Sequence, residues 1–197
     1  KARGIKNATT LVIDSDNNDI VSYIGSADFF NNAIHGQVDG IQAKRSPGST
    51  LKPFIYAKAF EEGMLFSKSI VFDSPLSYRT PENYDRSFKG PMTVHDALIT
   101  SRNIPAVYIN NELQRKRKGL YSLVNSLYPD PHKRGYYGSS IALGALEVNS
   151  IQLGELYSAL ANNGEFRRLN YLRSHKKMNP FPILSQASSA MVKKILK

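Results

Sequence analysis

Apolar positions repeat every second residue near the start of the chain and at helical spacing beyond residue 50. "TTLVIDS" (9–15) and "DIVSYIGS" (19–26) are β-branched and alternating. The polar "DNN" between them predicts a hairpin. Residues 28–48 read as loop, rich in Asn and Gly and ending in "SPG". A helix is then predicted over "STLKPFIYAKAFEEG", with Leu51, Phe54, Ile55 and Ala59 on its apolar face and Gly63 at its end. Pro53 is compatible with it because first-turn backbone donors have no helical acceptor. "DSPLSYRTPENYDRSFKGPMT" (73–93) is irregular and predicts a covering loop rather than core. "TVHDALITS" reads as helix, resumed over Ile104–Ile109 after Pro105. "SIALGALEVNSIQLGELYSALANNG" predicts a short apolar segment and then a helix closed by Asn163 and Gly164. "SQASSAMVKKILK" is a small amphipathic helix.

The pattern is α+β and unbalanced: helices dominate after a two-stranded start. A lone hairpin is not stable in water and must pair or pack against something. The 197 residues suffice for one sizeable core, and residues 1–197 are expected to form part of a single domain. Hydrophobic residues make up 41% and charged residues 21%, which fits a folded chain. No apolar run reaches the roughly 18 residues needed to span a bilayer. The chain begins at Lys1 with no signal peptide, as expected of a piece of a longer protein.

Cysteine is absent, which removes disulfides, thiolate metal sites and cysteine nucleophiles. His35, His95, His132 and His175 are scattered without zinc-site spacing, so neither a metal nor a cofactor is expected. The net charge of +10 favours anionic partners in general. Its densest run, "RKRK" (115–118), lies where a helix and its turn are predicted and reads as a solvated face. With no recognition motif or aromatic platform, nucleic acid is not an expected partner.

Chemistry concentrates in "RSPGSTLKPF" (45–54). A serine at a helix start is ordinary capping, worth roughly 1 kcal/mol. Lys52 is harder to explain, because a first-turn lysine faces the positive end of the helix macrodipole. Three-residue spacing puts Ser49 and Lys52 on one helix face. Burial together with the dipole would lower the lysine pKa, giving an amine able to accept a hydroxyl proton. Ser49 would then attack a carbonyl, its own N–H facing the developing oxyanion. Spacing alone does not decide between cap and nucleophile: "SHKK" repeats it at Ser174 and Lys177 in a polar stretch with no apolar support.

The context around Ser49 resembles the active-site segment of penicillin-binding proteins, the serine D,D-transpeptidases of peptidoglycan synthesis. Their motifs are S-x-x-K, S-x-N and K-T-G. "TSRNIPAV" follows the first motif at family distance and supplies Ser101 and Asn103. A literal "SDN" at Ser15–Asn17 precedes the nucleophile and falls in the hairpin turn, so it is read as a decoy. The opening hairpin, "GQVDGIQAKRSPGSTLKPF", "ENYDRSFKGPMTVHDALITSRNIPAV" and "ALGALEVNSIQLGELYSALANNGEF" also look like family text, closest to bifunctional class A enzymes of the 1C type.

The resemblance implies a penicillin-binding/β-lactamase-like transpeptidase fold with Ser49 as acylated nucleophile and Lys52 as its proton acceptor. It implies that Ser101 relays a proton to the leaving amine, and that Asn103 binds the substrate amide or positions Lys52. Read without it, Ser101 and Asn103 are better explained as a helix-terminal pair with local hydrogen bonds. The implied partners are peptidoglycan stem peptides and β-lactam antibiotics. The implied location is the periplasmic or outer face of the cytoplasmic membrane, with an anchor and a glycosyltransferase domain outside this chain.

No K-T-G or K-S-G occurs. "HKRG" supplies Lys133 and Gly135 but precedes "ALGALEV", whereas the family's third motif follows it; "FKGP" lacks the middle residue. The expectation is therefore an incomplete fold: the helical part plus the N-terminal hairpin, its remaining strands supplied by a missing C-terminal part or a partner chain. Two alternatives stand beside the transpeptidase: a non-catalytic scaffold of peptidoglycan synthesis, and a serine β-lactamase. The latter needs a deacylating base that no acidic residue here identifies; Glu147 in "GALEV" reads as structural.

Overall fold

The computed structural model describes residues 4–75, 81–172 and 177–197. In chain order the elements are β1 (Thr10–Asp14), β2 (Asp19–Ile24), α1 (Lys52–Glu61), β3 (Ile70–Asp73), β4 (Gly90–Thr93), α2 (Val94–Ile99), α3 (Asn103–Arg115), α4 (Leu120–Leu127), α5 (Ser150–Ala161), β5 (Glu165–Phe166), β6 (Phe181–Pro182) and α6 (Gln186–Leu196). The fold is mixed α+β. Its strands form three separate antiparallel pairs, β1–β2, β3–β4 and β5–β6. Among the described residues no helix is long and apolar enough to cross a membrane. The chain divides into two compact units.

The first unit comprises residues 1–45 and 147–182. Its hairpin packs Leu11, Ile13, Ile20 and Tyr23 against buried Ile41, Ile151 and Leu169. Gly154 lets α5 approach β1 closely, since a Cβ there would overlap Ile13. Helix α5 opens with a capping box, Asn149 accepting from the Gln152 N–H and the Gln152 side chain accepting from the Asn149 N–H. Asn163 and Gly164 both take positive φ at its end, as expected. The "SDN" motif serves the β1–β2 turn: Asp14 accepts from the Asp16 N–H (3.0 Å) and from Asn17 Nδ2 (3.1 Å). In the "SHKK" repeat Ser174 lies outside the described residues, and Lys177 pairs with Asp19 at 3.1 Å.

The second unit comprises residues 46–146 and 183–197 and is built around α1. Eight of the ten α1 residues are buried, Lys52 among them, so this helix is enclosed on nearly all sides rather than on one stripe. Helices α2, α3 and α6 pack around it, together with the 3-10 segment Gly138–Leu143. Gly63 closes α1 with φ +64°, its N–H bonding Phe60 O while that of Met64 bonds Ala59 O. Pro105 lies in the first turn of α3, which starts at Asn103 and runs on through "NNELQR".

Residues 73–75 and 81–93 depart from the covering loop expected over 73–93, of which 76–80 lie outside the described residues. Gly90–Thr93 is strand β4, paired with β3, and Asp73 and Asn83 are buried. The pattern hid this because the strands are four residues long, one carries Gly and Pro, and buried polar residues leave no hydrophobic signal.

Candidate active site

Ser49 lies in a 3-10 turn, Gly48–Leu51, that runs directly into α1. Residues i and i+3 eclipse in such a turn, so Ser49 and Lys52 stand above one another on one face. The Ser49 carbonyl accepts the Lys52 backbone N–H, but neither helical segment uses the Ser49 hydroxyl as a cap. Ser49 is exposed. The turn is backed by Gly144 (φ +102°), where a Cβ would fall 2.6 Å from Gly48 Cα. The backbone at Gly144 thus lies directly against that of the serine turn.

The Lys52 side chain is 1% exposed. Its Nζ donates to Ser101 O (2.6 Å), Asn103 Oδ1 (2.7 Å) and Ser101 Oγ (3.2 Å). An ammonium has three donors, and here each meets an acceptor. Burial, helped by the field of the nearby Arg102 guanidinium, pulls the Lys52 pKa down to about 8.

The second motif reaches Lys52 through the way α2 ends. Arg102 N–H bonds Ala97 O (2.9 Å) and Ser101 N–H bonds Leu98 O (3.0 Å), a Schellman closure. Ser101 occupies the left-handed position, φ +54°, that such closures usually give to glycine. This turns its carbonyl and hydroxyl toward Lys52. Asn103 begins α3. Its Nδ2 donates to Glu82 O (2.7 Å), and its backbone N–H donates to Asn83 Oδ1 (2.8 Å).

Beneath this pair runs a polar network. Arg102 Nε donates to Asp73 Oδ2 (2.7 Å), Nη1 to Asp85 Oδ2 (2.8 Å) and Nη2 to Ser87 O. Asn83 Nδ2 donates to Asp73 Oδ1 (2.7 Å) and to Ser87 O (2.9 Å), and Lys89 N–H to Asp73 Oδ2 (3.0 Å). Burial alone would lower the Arg102 pKa, but its bonds to Asp85 and Asp73 outweigh that and raise it. The Arg102 bond, with help from Ser87, holds the Asp85 carboxyl well below the usual carboxylate range.

Three of the four expected residues, Lys52, Ser101 and Asn103, therefore meet in direct hydrogen bonds, and Ser49 stands one turn ahead of Lys52 on the same face. Lys52 donates to the second motif rather than to Ser49. Sequence reasoning passed over Asp73, Asn83, Asp85, Arg102 and Gly144. Arg102 was visible as the middle letter of "SRN", but nothing in spacing reveals which charge is buried. Lys133 and Gly135 lie on an exposed loop. Among the described residues no group of three or more His, Asp or Glu could hold a metal ion.

Comparison with known proteins bears on the family and the fold. The family model "Penicillin binding protein transpeptidase domain" matches residues 8–197. Penicillin-binding protein 1C of Escherichia coli K12 is 30% identical over 190 residues, covering 94% of this chain and 24% of that protein. Penicillin-binding protein 1F of Bacillus subtilis is 34% identical over 169 residues, covering 76% of this chain and 23% of the relative. The chain thus spans about a quarter of the length of these relatives. In fold it resembles a peptidoglycan glycosyltransferase from Burkholderia ambifaria, with TM-score 0.73 at 17% identity over 97% of this chain and 65% of that one. The chain belongs to the penicillin-binding protein transpeptidase family.

Proposed function

We propose that this chain carries the acylating site of a serine D,D-transpeptidase, with residues 1–197 the first portion of one transpeptidase domain. The observation that carries the reading is the buried Lys52 amine, its pKa depressed to about 8, held against Ser101 and Asn103 one turn from an uncapped, exposed Ser49. Ser49 Oγ attacks the penultimate D-Ala carbonyl of a stem peptide, and its proton passes to neutral Lys52. The Ser49 backbone N–H faces the developing oxyanion. As the C–N bond breaks, the proton returns to the leaving D-Ala amine. A neutral amine has two N–H donors and one lone pair. With the donors on Ser101 O and Asn103 Oδ1, the lone pair is left to accept the Ser49 proton, and the Ser101 hydroxyl, 3.2 Å from Nζ, then takes a proton from the ammonium as it gives its own to the leaving amine, which supports Ser101 as the relay. The amine of a second stem then attacks the acyl-enzyme and forms the cross-link. β-Lactams acylate the same oxygen, their opened ring retaining the leaving nitrogen.

Of the two roles open to Asn103, positioning Lys52 is the better supported, because its Nδ2 is engaged by Glu82 O. The wording of the motifs favours a 1C-like class A parent, with an anchor and a glycosyltransferase domain elsewhere, working at the outer face of the cytoplasmic membrane. The absence of K-T-G favours a second reading, a scaffold of peptidoglycan synthesis that needs a further segment or partner chain to complete its sheet. Labelling with a fluorescent penicillin separates the two. A covalent band that survives denaturation and vanishes in Ser49→Ala is expected for the enzyme; an unlabelled folded chain assigns it to the scaffold.

A further inference from the structure

The arginine inside the second motif does more than join Ser101 to Asn103. We infer that Arg102 is a positioning residue that keeps Lys52 able to lose its proton, acting as a fixed positive charge clamped in place by Asp73, Asp85 and Ser87. This deepens the transpeptidase reading and rests on it for its catalytic meaning, though not for its test.

The geometry carries the inference. Arg102 is 6% exposed, and each of its three terminal groups has its own acceptor: Asp73 for Nε, Asp85 for Nη1 and the Ser87 carbonyl for Nη2. A guanidinium held at three points by a rigid fork cannot swing away from a neighbouring charge as a free side chain would. Its sequence neighbours, Ser101 and Asn103, are the two residues that accept from Lys52 Nζ. The cation is therefore delivered beside the amine by the same turn that delivers the acceptors.

Those acceptors work against deprotonation, because a carbonyl and an amide oxygen favour the ammonium form. Burial opposes them, and the Arg102 field is the charge that adds to burial in lowering the Lys52 pKa. Asp73 is 0% exposed and ties the guanidinium to β3 and, through Asn83 and the Lys89 N–H, to residues 83–89. Asp85 is exposed, so one of the three anchors sits at the surface.

The test reads Lys52 directly. With 13C-labelled lysine, the Cε resonance absent from Lys52→Ala identifies the residue, and its shift is followed from pH 6 to 11. In the intact chain the midpoint is expected near 8. Arg102→Lys keeps the charge and is expected to leave the midpoint in place. Arg102→Gln with Asp73→Asn removes charge and buried counter-charge together, so the interior stays neutral; Arg102→Gln alone is the second variant. Arg102→Gln alone is expected to move the midpoint upward by roughly half a unit to one unit, and the double variant upward by less, because losing the Asp73 carboxylate acts in the opposite direction. At pH 7 a one-unit rise would make penicillin acylation about tenfold slower, with the rate recovered above the new midpoint. A midpoint unchanged in the neutral variants overturns the inference, as does an equal upward move in Arg102→Lys. Midpoints that move as expected in a chain whose Ser49 never labels would leave the role of Arg102 intact and overturn the acylation reading instead.

Discussion

Ser101 stands in a left-handed conformation that costs a non-glycine residue of order 1 kcal/mol or more. Glycine would close α2 without that cost, so what serine adds is its hydroxyl, 3.2 Å from Lys52 Nζ. Ser101→Gly is expected to raise thermal stability by up to about 1 kcal/mol while slowing penicillin acylation by about two to four orders of magnitude, as for loss of a proton-transfer group. Ser101→Ala keeps the strain and loses the hydroxyl, so it should match the glycine variant in acylation but not in melting temperature. Equal melting temperatures would show that the backbone at Ser101 carries no strain. Lys52 has its own signature at this scale. Acylation of the intact chain should rise with pH through a midpoint near 8, because the neutral amine is the form that accepts the proton.

At the scale of elements, the serine turn depends on a partner from elsewhere in its unit. Gly144→Ala would force a methyl against Gly48 and require φ +102° of an alanine. Overpacking of this kind costs about 1–3 kcal/mol, and the displaced part is the turn bearing Ser49. Acylation should therefore fall further than the stability loss accounts for, measured as labelling rate at a temperature where the variant is fully folded. The helices were legible because their caps and breakers are local: Gly63, Asn163, Gly164 and Pro105 each mark a boundary within a few residues. Helix α1 was legible in position but not in surroundings, since its burial on nearly every side depends on α6, more than 120 residues later. The β3–β4 pair was illegible for the same reason; Ile70 pairs with Thr93, and nothing local in "IVFD" or "GPMT" announces it. In the site, the side chains that act by type (serine, lysine, asparagine) could be read from spacing. Those that act by burial, Arg102 and Asp73, could not.

For the whole molecule, charge sets the response to pH. Asp85 is depressed by Arg102, Asp14 by Asn17 and the Asp16 N–H, and Asp96 by Thr93 and His95. A carboxyl whose folded pKa lies below its unfolded value stabilises the fold above about pH 4, and that contribution is lost as pH falls through the folded value. Protonation there also adds to a chain already at +10. The melting temperature is expected to vary little between pH 5 and 7 and to drop steeply below pH 4. Lys52 contributes with the same sense, in a higher pH window. Its folded pKa, about 8, lies below the ordinary lysine value of 10.5, so between these limits the folded state binds fewer protons and its share of stability grows with pH.

Helix α6 belongs to the same compact unit as α1 and packs against it, although the chain leaves that unit after residue 146 and returns only at 183. During synthesis, then, the helix bearing Lys52 leaves the ribosome with an apolar flank that nothing yet covers. At 5–20 residues per second its cover arrives roughly 6 to 25 seconds later. The part of the α1 surface that α6 covers is exposed to the surroundings for that interval, long enough for a chaperone to engage it and for a stalled chain to aggregate through it.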